Sequence, residues 1–116
     1  MDVGVDSPEQ NWTIALDSSL SGYQIQNTLA GATYCLDADT NTMGANGTKV
    51  QLWTCNASSE QQWPATLLSS GTYTVANGDT KAAGYCLDAD THPIGANGTV
   101  VQLWTCNSAS EQEWLF

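Results

Sequence analysis

The residues of this chain that could do chemistry form two matching sets of acidic, amide and indole side chains, 51 residues apart. The two sets are Asp37, Gln51 and Trp53, and Asp88, Gln102 and Trp104. An indole that points away from the core offers an apolar surface to the C–H face of a sugar ring. Carboxylates and amides accept or donate the hydrogen bonds that sugar hydroxyls need. These residue types together indicate a carbohydrate site.

A long repeated block surrounds both sets. Residues 34–63 and 85–114 are identical at 23 of 30 positions. A shorter echo, Glu9-Gln10-Asn11-Trp12, matches the ends of both blocks, so that Trp12, Trp63 and Trp114 are also 51 residues apart. Repeated sequence usually means repeated structure. We therefore expect a single domain over 1–116, made of the end of a partial repeat (1–12) and two full repeats (13–63 and 64–116).

Short alternating runs of apolar and polar residues, bounded by Gly, Asn, Asp, Ser and Thr, predict an all-β fold. Each repeat has room for about four short strands in two hairpins. If Val50 and Leu52 face the core, Gln51 and Trp53 face away from it, because alternate side chains of a strand point in opposite directions. The alternative for Trp53 is that it covers a disulfide or fills a core between repeats.

The four cysteines occupy the same two positions in each repeat, 20 residues apart. A disulfide that closes such a loop stabilises a protein by roughly 3 kcal/mol in the chain-entropy model. Zinc is disfavoured, because the sequence has no Cys-x-x-Cys pair and a single histidine, His92. We therefore expect the disulfides Cys35–Cys55 and Cys86–Cys106, and with them a secreted or extracellular protein.

The composition excludes several kinds of partner. The formal net charge is −10, and the only basic residues are Lys49 and Lys81, so nucleic acid and anionic membrane surfaces are unsuitable partners. No apolar run is long enough to span a bilayer, and no residue pattern indicates a cofactor. Four Asn-x-Ser/Thr sequons could carry glycans, although turn formation explains the two Asn-Gly-Thr cases, Asn46 and Asn97. The sequons lie at Asn11, Asn46, Asn56 and Asn97.

The combined pattern Cys-Leu-Asp, Asn-Gly-Thr-x-Val-Gln-Leu-Trp-x-Cys and Gln-x-Trp resembles the ricin-type β-trefoil lectins and carbohydrate-binding modules. The resemblance implies a β-trefoil fold, a disulfide within each repeat and non-catalytic glycan binding, with galactose-type sugars as the first candidates. It implies that Asp37 and Asp88 bind sugar hydroxyls, that Trp53 and Trp104 stack on the sugar, and that Gln51 and Gln102 assist. It also implies structural roles for Gln10, Trp12, Gln61, Trp63, Gln112 and Trp114.

The chain departs from the family pattern in two ways. Glu60 and Glu111 stand where family sites commonly have Asn, and we expect both at the sugar sites, where glutamate accepts but cannot donate hydrogen bonds and disfavours anionic sugars. A full trefoil also needs three repeats, whereas this sequence has two and the end of another. A homo-oligomer that completes the partial repeat would resolve the second departure, because open repeat arrays expose strand edges.

Other readings of the same residues are weaker. Asp37-Ala-Asp39-Thr-Asn41 resembles the start of a calcium loop, but Thr42 and Thr48 stand where an EF-hand requires Gly and Glu. Asp37 and Asp39 share one face of a strand without a cleft between them, so they do not indicate a glycosidase, and we expect no enzyme activity. The alternative functions are a self-assembling structural protein that has lost sugar binding and a trefoil protease inhibitor.

Overall fold

A computed structural model describes residues 12–17, 22–29, 32–90 and 100–115. These residues form eight strands and three short 3-10 helices. The strands are β1 (Trp12–Asp17), β2 (Gly22–Leu29), β3 (Ala32–Ala38), β4 (Thr48–Thr54), β5 (Ala65–Leu67), β6 (Tyr73–Val75), β7 (Tyr85–Ala89) and β8 (Val101–Thr105). The 3-10 helices are Ser59–Gln61, Thr80–Ala82 and Ser110–Gln112. The expected all-β fold, with four strands in each repeat, is confirmed.

The strands form a six-stranded sheet in the order β1-β2-β3-β4-β8-β7 and a separate two-stranded sheet, β5-β6. All neighbouring strands are antiparallel, and the pairing of β4 with β8 joins the first repeat to the second. Two isolated bridges, Tyr23 to Trp63 and Tyr73 to Trp114, connect the hairpins β1–β2 and β5–β6 to the segments that follow β4 and β8. These bridges make Tyr23 and Tyr73 structurally equivalent although they are 50 residues apart.

The core contains residues of both sheets and of both repeats. Its buried members include Ile25, Leu36, Ala38, Trp63, Val75, Ala82, Leu87 and Leu103. Half-buried Trp12 and Trp114 pack against this cluster. The Trp63 indole donates a hydrogen bond to the Leu36 carbonyl at 2.9 Å, and the Trp114 indole donates to the Leu87 carbonyl at 3.0 Å. Trp63 therefore holds β3 in place, and Trp114 holds β7 in the same way.

Both predicted disulfides are present. Cys35 bonds to Cys55 and Cys86 bonds to Cys106, with Cα atoms 5.0 Å apart in each pair. That spacing lies in the ordinary range for disulfides. Each bond ties the first strand of a hairpin to the residue that follows its second strand, so the two strands cannot slide past each other.

Strand alternation predicts the face of Leu52 but not its burial, since Leu52 lies opposite the buried Leu36 and shares its face of the sheet. Leu52 is 43% exposed, whereas its counterpart Leu103 is fully buried. Leu103 is covered because Thr48 of β4 pairs with it from the first repeat. Among the described residues, no strand covers Leu52 in the same way. Burial at this position therefore depends on a neighbouring repeat and not on the strand's own pattern.

Candidate functional site

An open pocket of about 250 Å³ lies where β3 and β4 meet the 3-10 helix Ser59–Gln61. It is lined by Asp37, Asp39, Thr40, Asn41, Gln51, Trp53 and Glu60. The four residues that the sequence predicts for the first site therefore lie in one pocket. Asp39, Thr40 and Asn41 were not predicted there, although an Asp-Thr-Asn turn directly after a strand indicates a loop that could border such a site.

Antiparallel pairing of β3 with β4 aligns the site residues. Asp37 lies opposite Gln51, and Cys35 lies opposite Trp53. Residues directly opposite each other on antiparallel strands share a face of the sheet, and residues two positions apart on one strand do so as well. Asp37, Gln51 and Trp53 are therefore on the same face, as strand alternation predicts. Cys35, which forms the disulfide with Cys55, is on that face as well.

The Asp37 carboxylate is buried and held on both oxygens. Only 4% of the residue is exposed. Its Oδ1 accepts a hydrogen bond from Gln51 Nε2 at 3.2 Å, and its Oδ2 accepts one from Gln61 Nε2 at 2.9 Å. An ionised carboxylate has about four lone-pair positions. Two donors therefore fix the orientation of Asp37 and leave acceptor capacity for a bound hydroxyl.

Gln61 has a more direct role than the sequence suggests. The residue is fully buried, and besides its bond to Asp37 its Nε2 donates to the Thr54 carbonyl at 2.9 Å. Its Oε1 accepts from the Asn56 backbone N–H at 2.9 Å. Both amide hydrogens and the amide oxygen are thus satisfied, as buried polar groups require. The glutamine of the Gln-x-Trp motif supports the end of β4 and orients the carboxylate of the pocket at once.

The pocket has an acidic lining. Asp37, Asp39 and Glu60 contribute carboxylates, and no Lys or Arg is among the lining residues. Asp39 is half-exposed, and its Oδ1 accepts from the Asn41 backbone N–H at 3.0 Å, which closes the turn after β3. Within the described part of the chain, no cluster of three or more His, Cys, Asp or Glu side chains is arranged to hold a metal ion.

Trp53 forms the outer wall of the pocket. It is 54% exposed, so its ring does not fill a core between repeats. A second, apolar cavity of about 210 Å³ lies elsewhere, between β1–β2 and β5–β6, and includes Tyr23, Trp63 and Tyr73. The lining of that cavity contains no carboxylate or amide side chain. The pocket beside Trp53 therefore combines an aromatic surface with fixed polar groups, which is the usual composition of a small-molecule site.

The second repeat reproduces the same bonds. Asp88 is 3% exposed, and it accepts from Gln102 Nε2 at 3.2 Å and from Gln112 Nε2 at 2.9 Å. Trp104 is 39% exposed and lies opposite Cys86, as Trp53 lies opposite Cys35. Glu111 is half-buried in the helix Ser110–Gln112. Residues 91–99, which include His92 and the Asn97 sequon, lie outside the described residues.

The other predicted sequons have mixed positions. Asn11, like Gln10, lies outside the described residues. The Asn46 side-chain oxygen accepts from the Thr105 backbone N–H at 2.7 Å and from the Thr105 hydroxyl at 2.8 Å. The Asn56 side-chain oxygen accepts from the Ser58 backbone N–H at 3.0 Å. Asn46 and Asn56 thus both support loop structure, and their glycosylation stays a prediction.

The family model for the ricin-type beta-trefoil lectin domain matches residues 21–116. The chain belongs to this family. A lectin domain of this type binds carbohydrate and is generally non-catalytic. The two disulfides and the lectin domain are consistent with an extracellular location. In the described part of the chain, no helix has the length and apolar character needed to cross a membrane.

Solved structures show the same fold. The crystal structure of ThreeFoil, a designed 3-fold symmetric protein, has a TM-score of 0.80 and 20% sequence identity, over 95% of this chain and 73% of that chain. The structure of a mosquitocidal holotoxin has a TM-score of 0.77 and 26% identity, over 95% of this chain and 13% of the toxin chain. No curated protein matches the sequence. The β-trefoil fold predicted from the sequence is confirmed.

Proposed function

We propose that this lectin domain binds neutral sugars, with galactose-type sugars as the first candidates, at the Asp37 pocket and at its copy around Asp88. Binding is non-catalytic. The observation that carries the proposal is the position of an exposed indole, Trp53, beside a buried carboxylate whose two oxygens are already fixed. A sugar ring can present its apolar C–H face to the Trp53 indole and its hydroxyl donors to the Asp37 carboxylate.

Each side chain of the pocket has a distinct task. Trp53 stacks on the C–H face of the ring, Asp37 accepts hydrogen bonds from ring hydroxyls, and Gln51 supplies its remaining amide donor and acceptor capacity. Because Gln51 and Gln61 hold the carboxylate before the sugar arrives, little side-chain freedom is lost on binding. Orientation by fixed groups then favours one arrangement of hydroxyls over its epimers.

The charge of the pocket selects against acidic sugars. A sugar carboxylate placed about 5 Å from Asp37 meets a repulsion of about 1–3 kcal/mol, for an effective dielectric constant between those of water and a protein surface. Asp39 and Glu60 add to this repulsion, since both line the same pocket. Neutral sugars are therefore preferred over uronic or sialic acids.

Each site is weak by itself. A hexose has about 12 heavy atoms, and about 0.3 kcal/mol per atom gives about 4 kcal/mol, which is a dissociation constant on the order of 1 mM. Two such sites on one chain act together on a polyvalent glycan, because the second binding event becomes intramolecular. The natural ligand is therefore a polysaccharide or a glycan that repeats its terminal sugar.

A glycan array tests the proposal. The wild type should bind neutral glycans, and the double variant Trp53→Ala/Trp104→Ala should lose most of this signal. Tyr34→Ala is the matched control, because Tyr34 is also an exposed aromatic residue but does not line the pocket. Binding that survives the double substitution would refute the stacking role. Absence of binding to any glycan would favour the alternative of a structural protein without sugar binding.

A further inference from the structure

A lysine of the first repeat lies beside the second candidate site. Lys49 of β4 is directly opposite Gln102 of β8, where the first repeat pairs with the second. Gln102 is in turn opposite Asp88 of β7 and donates to its carboxylate at 3.2 Å. Residues directly opposite each other on antiparallel strands share a face of the sheet, with Cβ atoms about 5 Å apart. Lys49 is therefore an immediate neighbour of the glutamine of the second site.

Burial along β4 shows to which face Lys49 belongs. Thr48 is fully buried and lies opposite the fully buried Leu103, whereas Lys49 is exposed and lies opposite the half-buried Gln102. We name the face of the sheet that carries Asp88, Gln102 and Lys49 the site face. The Lys49 side chain leaves β4 on the site face, on the side of Gln102 that is away from Asp88.

No side chain of β4 fills the space between Trp104 and Lys49. The register that places Lys49 opposite Gln102 continues to Gly47 opposite Trp104. A Cβ atom added at Gly47, where φ is +87°, would meet nothing within 4 Å apart from its chain neighbours. Trp104 itself is 39% exposed. A sugar stacked on Trp104 can therefore extend toward β4 and bring a substituent to the Lys49 ammonium group.

Lys49 also neighbours the first site but does not line its pocket. The Asp39 backbone N–H donates to the Lys49 carbonyl at 2.8 Å, so Asp39 lies next to Lys49 on the β3 side. The Asp39 carboxylate is engaged in its own turn, where Oδ1 accepts from the Asn41 backbone N–H at 3.0 Å. The lining of the Asp37 pocket includes Asp39 but no lysine. The Lys49 ammonium group is thus available to the second site.

This lysine is the charged difference between two otherwise matching sites. The three acidic residues that line the Asp37 pocket all recur in the second repeat, as Asp88, Asp90 and Glu111. Lys49 itself does not recur, because Val100 stands at the equivalent position 51 residues later. Among the described residues, only the second site has a lysine opposite its glutamine. The two sites therefore have equal numbers of carboxylates and unequal net charges.

We propose that Lys49 gives the second site its own specificity, by binding an anionic group on a glycan whose neutral sugar stacks on Trp104. The anionic group is a carboxylate or a sulfate ester, since an ammonium group is a compact point charge that suits either. This inference rests on the proposed sugar sites. Because the ion pair is exposed to solvent, its effect is modest, about threefold to fivefold in affinity. The first site keeps its preference for glycans without charge.

The test follows the two sites separately in one molecule. The full chain is labelled with ¹⁵N, and the indole N–H signals of Trp53 and Trp104 are recorded by NMR during titration. The probes are methyl β-galactoside, its monosulfates and the corresponding methyl galacturonide, so that sulfate and carboxylate are compared directly. For an anionic probe, the affinity relative to the neutral probe should be about threefold to fivefold higher at Trp104 than at Trp53. High salt should reduce this difference, because it screens exposed charges.

Substitutions of Lys49 assign the difference to its charge. Lys49→Met keeps the apolar stem and removes the charge, so it should make the relative affinities at Trp104 equal to those at Trp53. Lys49→Arg keeps the charge and should preserve the difference. Lys81→Met is the matched control, because Lys81 is the only other basic residue and is exposed in the Thr80–Ala82 helix. It changes the net charge by the same amount and should preserve the difference as well.

The possible failures are distinguishable. Absence of binding of every galactoside at both indoles would overturn the proposed sugar sites and this inference with them. Binding of the neutral probe at both sites, with equal discrimination against the anionic probes, would overturn the role of Lys49 alone. A difference that persists in Lys49→Met would do the same. An effect of Lys49→Met at Trp53 instead of Trp104 would assign the lysine to the first site and also refute the proposal.

Discussion

Replacement of Gln61 by methionine tests how far the scaffold and the site depend on one side chain. Gln61 makes three hydrogen bonds in a fully buried position, to Asp37, Thr54 and Asn56. Methionine has a similar shape but cannot replace any of them. A bond to a charged group contributes about 2 kcal/mol and each neutral bond about 1 kcal/mol, so Gln61→Met should lower the free energy of unfolding by about 4 kcal/mol.

Urea unfolding with the disulfides intact, followed by tryptophan fluorescence, measures this loss. The matched variant is Gln112→Met, because Gln112 makes the same three bonds, to Asp88, Thr105 and Asn107, at 2.9–3.0 Å. The two single variants should lose similar free energies. A large loss is expected relative to the total stability of a domain of this size, which is about 5–15 kcal/mol.

A double-mutant cycle isolates the bond between Gln61 and the carboxylate. Asp37→Asn removes the charge, so Gln61→Met should cost about 1–2 kcal/mol less in that background than in the wild type. Sugar affinity at the first site should fall in Gln61→Met and persist at the second site. A loss of stability below about 1 kcal/mol, or equal losses in both backgrounds, would show that Gln61 does not support Asp37 as argued.

Two further predictions concern single residues. Glu60→Gln removes one carboxylate from the pocket, so affinity for galacturonate relative to galactose should rise about fivefold in calorimetric titrations, and an unchanged ratio would contradict the electrostatic argument. Trp63→Phe leaves the Leu36 carbonyl without its donor, whereas Trp12→Phe removes a donor that has no partner among the described residues. Thermal unfolding should therefore show Trp12→Phe to be less destabilising by at least about 1 kcal/mol, and the reverse order would contradict the assignment.

The sequence predicts the parts of the site that depend on local geometry. Alternation along β4 predicts that Gln51 and Trp53 share a face, and both line the pocket. The bond between Gln61 and Asp37 joins residues 24 positions apart. It depends on how the Ser59–Gln61 helix returns to β3, which no local pattern records. The sequence therefore predicts Asp37 as a site residue but does not predict which side chains hold its carboxylate.

Identical residues in the two repeats do not have identical surroundings. Leu52 and Leu103 occupy the same place in the repeated block, yet one is 43% exposed and the other is fully buried. The reason is that the burial of this leucine depends on contact between repeats. The β4 strand of the first repeat pairs with β8 at Leu103, and among the described residues no strand pairs with β4 in the same way at Leu52. Sequence patterns within one repeat cannot report such a difference. Repetition predicts which residues are equivalent, and the neighbour decides which of them is buried.

The contacts between the two repeats also shape the first candidate site, the Asp37 pocket. The loop after Asp39 is held from the second repeat, because the Tyr85 hydroxyl donates to the Gly44 carbonyl and Asn46 accepts from Thr105. The Gly47 N–H donates to the Leu103 carbonyl at 2.9 Å in the same region. This loop begins at the pocket wall, so the geometry of the first site depends on β7 and β8 as well as on β3 and β4. A single repeat would carry every residue of the site and still lack the contacts that hold its loop.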